Sequence, residues 1–208
     1  MVPTHQQRPQ QLRPGNLLLA HQPVHPHPPY HDYASCNGFG INAAGHICGL
    51  TFVWADNDRW WGYVWADDNT NALFELSEMQ LLGALGVNKT VGSGSQANAI
   101  NDLGHVVGWT ALTNNWFPRH AFLITPSGTQ WKNPSGISVS TNLLMADLGA
   151  LESPANNSYA NALNNQDGVV GYSTTSSGTN QAFLWRNGTM INLNSLISSN
   201  SGWVLTDA

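Results

Sequence analysis

The phrase "SQANAINDLGHVVGW" at residues 95–109 returns 63 positions later as "SYANALNNQDGVVGY" at 158–172, and a looser copy, "GFGINAAGHICGLT", stands at 38–51. Two further phrases follow each copy in the same order. The first is "WGYVW" (61–65), "HAFLI" (120–124) or "QAFLW" (181–185); the second is "MQLLGAL" (79–85), "MADLGAL" (145–151) or "MINLNSL" (190–196). Three phrases in one order, three times, define a repeat protein and exclude folds whose elements differ along the chain. The units run over about 36–94, 95–157 and 158–208.

Each unit parses into four short strands. The first ends at Asn42, Asn101 or Asn164, residues that read as turn devices because an Asn side chain bonds nearby backbone groups and tolerates unusual φ. Gly45 and Gly104 then supply the positive φ of a short hairpin, and in the third unit Asp167-Gly168 reads as a tighter hairpin with the glycine displaced by one. The Val-Val-Gly segment, the aromatic phrase and the Met-to-Leu phrase supply the other three strands. From Tyr63, Phe122 and Phe183 to Met79, Met145 and Met190 the gaps are 16, 23 and 7, so the connection between third and fourth strands tolerates insertion and that edge is free to vary.

Composition agrees with strands. Only 9% of residues are charged and 10% are aromatic, with nine Trp and twenty Gly, a balance suited to short strands and tight turns. The fold expected is all-β, a propeller-like array of three four-stranded antiparallel repeats that is incomplete within one chain, since propellers use four or more blades. Residues 1–34, rich in Pro, Gln and His without alternation, read as a tail or arm ahead of a repeat domain over 35–208. Three such units in a row leave apolar faces uncovered, so self-association is expected to complete the array, with Trp203 to Ala208 adding a strand to a neighbour.

The formal charge of -5 provides no basic face for phosphate, which argues against nucleic acid, and no apolar run is long enough for membrane insertion. The first residues contain only "LLLA" as an apolar core, too short for a secretory signal peptide. Cys36 and Cys48 do not make a disulfide framework; Cys48 aligns with Val107 and Val170 and reads as a buried free thiol, with a Cys36–Cys48 bridge as the alternative.

The phrase at 97–108, its echo at 160–171, "HAFL" at 120–123 and "QAFLW" at 181–185 together resemble the HAF repeat family over about residues 36–208. That family carries no defined activity, and the resemblance implies an extracellular or cell-surface bacterial protein. Unit one departs from it, with "WGYVW" where the His-Ala-Phe triplet belongs.

One stretch breaks the repeat toward chemistry. "FVWADNDRWWGYVWADDN" (52–69) holds four Trp and four Asp. Flat rings stack on sugar faces while carboxylates and amides bond hydroxyls, so Trp54, Asp56, Asp58, Trp60, Trp61 and Trp116 form the expected ligand set, with Trp65 reserved for packing. The reading is a binding or adhesion scaffold for an extracellular glycan or polymer. The rival is a glycosidase-type hydrolase using Asp56, Asp58 and Glu75, since glycoside cleavage needs paired carboxyls. A purely structural segment of a surface protein is the third reading. No cofactor is expected apart from calcium at Asp67, Asn69, Asn71 and Glu78, which match positions 1, 3, 5 and 12 of an EF-hand-like loop with Ala72 where a glycine belongs. His25, His27 and His31 in the arm are metal-capable but separated by prolines. His120 alternates with Trp61 and Gln181 in the repeat and reads as a structural hydrogen-bonding residue.

Overall fold

The computed structural model describes residues 35–53, 59–67, 78–85, 94–113, 117–125, 138–139, 145–154 and 156–208. Alternating apolar and polar residues punctuated by Gly and Asn give thirteen strands among the described residues. The first unit forms β1 (Cys36–Ile41), β2 (Ile47–Val53), β3 (Arg59–Trp65) and β4 (Met79–Leu81). The second forms β5 (Ser95–Ile100), β6 (Val106–Ala111), β7 (Arg119–Ile124) and β9 (Met145–Asp147), and the third β10 (Ser158–Leu163), β11 (Val169–Thr174), β12 (Asn180–Arg186) and β13 (Thr189–Asn192). Each set of four pairs antiparallel in sequence order, and a short 3-10 turn, Leu193–Leu196, follows β13. The body is all-β, and the four antiparallel strands of each sequence unit fall in one sheet.

Two features depart from the sequence reading. The insertion in unit two carries β8 (Ser138–Val139), which pairs parallel with β4 and gives the first sheet five strands where four antiparallel ones were expected. The third hairpin is also not tighter than the others. Asp167 itself takes the left-handed position, φ 58°, that Gly45 (83°) and Gly104 (78°) hold, and Asn164 bonds the Gly168 carbonyl as Asn42 bonds that of His46 and Asn101 that of His105. An aspartate tolerates this conformation where a β-branched residue would not.

The first strand of every unit carries a bulge at one place, between Gly38 and Gly40, Ala97 and Ala99, and Ala160 and Ala162. The bulge drives a backbone carbonyl into the second strand. A Cβ on Gly49, Gly108 or Gly171 would lie 1.8, 1.8 or 2.0 Å from the carbonyl oxygen of Asn37, Gln96 or Tyr159. Only glycine fits there, which is why the Val-Val-Gly phrase ends as it does.

The sheets stack face on face, each new first strand covering the preceding sheet. Cys48, Val64, Ala66 and Leu82 of the first sheet share a core with Ala97, Ile100, Val106, Phe122, Ile124 and Met145 of the second. Val107, Ala121, Leu123 and Leu148 of the second meet Ala160, Val169 and Phe183 of the third, with Leu163 packed beside them. Each fully buried side chain of this size contributes about 1.5–3 kcal/mol, so the two shared cores bind sheet to sheet. Both thiols are free, and the register sets Cys36 opposite Thr51 and Cys48 opposite Gly40. Cys48 fills the place of Val107, which faces Ala99, and of Val170, which faces Ala162.

Candidate functional site

The polar residues of the repeated phrase serve two purposes at once. The side-chain oxygen of Asn101 accepts the N–H groups of Leu103 and His105, closing its own turn, and Asn42 and Asn164 do the same at Ala44 and His46 and at Gln166 and Gly168. The remaining amide hydrogens reach across repeats: Asn42 donates to the Asn101 carbonyl and Asn101 to the Asn164 carbonyl, each at 3.0 Å. Asp102 adds a second rung, accepting from the Ala43 N–H and from the Asn165 side chain. Those bonds hold its fully exposed carboxyl below the usual carboxylate range, the Asn165 bond contributing most.

Sequence reasoning passed over three further clasps. The bulged Asn98 donates to the Ala160 carbonyl at 2.7 Å. Ser95 and Ser158, both fully buried, accept the N–H of Gly62 and Ala121 and donate to the carbonyls of Gly83 and Gly149. Thr110 and Ser173 accept the N–H of Leu85 and Leu151. The signal was there: a serine two residues before each Ala-Asn-Ala and a hydroxyl two residues after each Val-Val-Gly.

His120, 2% exposed on β7, has Nδ1 2.7 Å from Asp147 Oδ1 on β9 and Nε2 3.1 Å from the Pro154 carbonyl. Burial pushes the Asp147 carboxyl up, but the bonds from His120 and the Gly149 N–H and the neighbouring His120 charge outweigh it, and the group lies below its ordinary value. In repeat three the same cross-strand pair is Gln181 and Asn192, joined side chain to side chain, and Asn192 accepts the Asn194 N–H as Asp147 accepts that of Gly149. In repeat one the pair is Trp61 and Leu81, both in the core. One structural position thus carries three chemistries, and His120 is a strand-to-strand tie with both ring nitrogens occupied.

Among the expected ligand residues, Trp60 lies on β3, half-buried, with its ring 4.9 Å from that of Phe52. Trp61 is interior: at 3% exposure it packs with Tyr63, Trp65, Met79 and Leu81, because alternation along β3 turns it inward. Glu78 is also interior, its carboxylate accepting the Trp65 indole N–H at 3.1 Å. Asp67 is half-buried just after β3. Trp54, Asp56, Asp58, Asn69, Asn71, Ala72, Glu75 and Trp116, with His25, His27 and His31, lie outside the described residues. Among the described residues no group of three or more His, Cys, Asp or Glu side chains is placed to hold a metal ion.

A row of rings not anticipated from sequence crosses repeats two and three. The Arg119 guanidinium lies 4.1 Å over Trp109 and 4.7 Å over Phe117, which is 57% exposed. Trp109 meets Tyr159 edge-on at 6.3 Å, and Tyr159 stacks on Tyr172 at 4.8 Å. Burial, then the neighbouring Tyr159 and Asp207, raises the Tyr172 hydroxyl above its ordinary value.

A family model described as a protein of unknown function (DUF3466) matches residues 10–208. No curated protein and no solved structure matches the chain.

Proposed function

We propose, for a chain that belongs to the DUF3466 family, the role of an extracellular or cell-surface binding scaffold: a propeller-like stack of HAF-type repeats, completed by self-association, that recognises a glycan or similar polymer. One contrast carries the reading. The repeated polar residues are committed to joining repeat to repeat, whereas the non-repeated aromatic residues, Trp60 beside Phe52 and the exposed Phe117 above Arg119, gather outside that network. An exposed ring next to a guanidinium, as at Phe117 and Arg119, suits a polyhydroxylated ligand, whose faces stack and whose oxygens accept hydrogen bonds. Trp60 directly follows the segment that holds Trp54, Asp56 and Asp58, and Phe117 follows Trp116, so both described rings adjoin the expected ligand residues in the chain.

The test is retention on a panel of immobilised polysaccharides. Retention without soluble product, reduced by Trp60→Ala or Phe117→Ala, supports the scaffold. Steady product release abolished by Asp58→Asn or Glu75→Gln replaces it with the hydrolase. A flat response on every polysaccharide leaves a purely structural segment.

A further inference from the structure

Among the described residues the interface between repeats is built twice, and the first and third repeats each present one half of it exposed or half-buried. At the leading end, Ile41 is the counterpart of Ile100 and Leu163. Ile100 is 7% exposed in the core shared with Cys48 and Val64, and Leu163 packs beside Val107 and Leu123; Ile41 stands 68% exposed on β1. At the trailing end the hollow is open. Cys48 and Val64, then Val107 and Leu123, are 5% exposed or less, while Val170 and Leu184 of the third sheet, at the same positions, are only half-buried. The Asn ladder stops at the same place: Asn42 and Asn101 are 9% and 5% exposed beneath the next repeat, whereas Asn164 is exposed.

Residues 203–208 show what this end accepts. The segment lies against the third sheet, bonded to β12 through Ala182, and forms no strand. Asn161 donates to the Ala208 carbonyl at 3.0 Å, as Asn98 donates to that of Ala160, so Ala208 holds the seat of a next repeat's first strand. The Asn194 side chain clamps Leu205 through both its N–H and its carbonyl, each at 2.8 Å, and Ala182 bonds the same carbonyl. The grip is narrow: Leu205 is half-buried, the other five residues are exposed, and Trp203 and Val204 reach 76% and 70%. With the segment in place, Val170 and Leu184 of the hollow are still only half-buried.

We propose that the trailing face of repeat three docks the leading strand β1 of a second copy, with that copy's Ile41 entering the hollow at Val170 and Leu184 and the Asn164 amide donating to its Asn42 carbonyl. Two copies joined this way at both ends close a ring of six sheets, which continues the interface already used at 42–101 and 101–164. Trp203–Ala208 gives up the seat when β1 arrives. The inference rests on the reading that self-association completes the array, and it names the joint.

Complementation tests it, with mass in solution measured by light scattering. The full chain associates with rising concentration. Ile41→Asp removes the leading half of the joint and Leu184→Asp the trailing half, so each alone is monomeric, and an equimolar mixture forms a one-to-one pair through the one intact joint. Asn164→Asp, which keeps the turn-closing oxygen on an exposed side chain, weakens association without touching the core. Deleting 203–208 strengthens it. A full chain that stays monomeric at every concentration overturns both the joint and the association reading. Association that survives Ile41→Asp and Leu184→Asp, or that mixing them fails to restore, overturns the joint alone.

Discussion

Asn101 donates its side-chain amide to the carbonyl of Asn164, 3.0 Å away and one repeat further on, while its oxygen closes its own turn. Replacing Asn101 by Asp keeps the oxygen, removes the donor and sets a carboxylate against a carbonyl at a site 5% exposed. The expected loss is about 1–3 kcal/mol, the range for leaving a buried polar group unsatisfied. Asn164→Asp, at the exposed end of the ladder, is expected to change monomer stability by no more than ~0.5 kcal/mol. Urea unfolding of the two variants checks the pair; equal losses would show that the cross-repeat bond contributes nothing.

Gly108→Ala and Gly45→Ala separate steric from conformational demand. A Cβ on Gly108 meets the Gln96 carbonyl oxygen at 1.8 Å, and the bulge leaves that carbonyl nowhere to go. The loss is about 3 kcal/mol, at the upper end for overpacking. Gly45, with φ 83° and nothing within 4 Å of a built Cβ, loses only the left-handed preference, about 1–2 kcal/mol. Thermal unfolding should rank them in that order.

The Asp147 carboxyl, held below its ordinary value of 3.8, sets an acid limit. A depressed carboxylate stabilises the fold above its unfolded value, and that contribution disappears as pH falls from about 4 through the lower folded value. Melting temperature is expected to drop across that interval in the parent and to fall less steeply in Asp147→Asn. Parallel acid profiles would show that the bond to His120 does not favour the folded state.

Cys48 should behave as a core hydrophobe. Burial, more than any other influence, pushes its thiol up to about 12, and Cys36 is raised for the same reason. Neither should react quickly with a thiol reagent at neutral pH, and Cys48 only after global unfolding. Cys48→Val, which installs the residue found at 107 and 170, is expected to shift stability by less than about 1.5 kcal/mol. Rapid labelling of native Cys48 would contradict its place in the shared core.

Repetition made the fold legible in the sequence. The phase of Asn42, Asn101 and Asn164 placed every first strand, and the match of Cys48 with Val107 and Val170 placed a core position. What stayed hidden depended on tertiary context. Ser138–Val139 adds to a sheet belonging to another unit, a pairing no local pattern encodes. Trp61 sits in a Trp-rich stretch that reads as surface, yet strand alternation turns it inward. Asp167 adopts a glycine's conformation without being one. The row from Phe117 through Arg119, Trp109 and Tyr159 to Tyr172 joins residues whose neighbourhood exists only after two sheets stack.

The parallel strand Ser138–Val139 on β4 means that the sixty-odd residue period is not the modular unit of this architecture. A gene rearrangement that excised residues 95–157 would strip the preceding sheet of its outermost rung as well, so lengthening or shortening such a protein by whole periods requires the lacing insert to travel with its upstream neighbour.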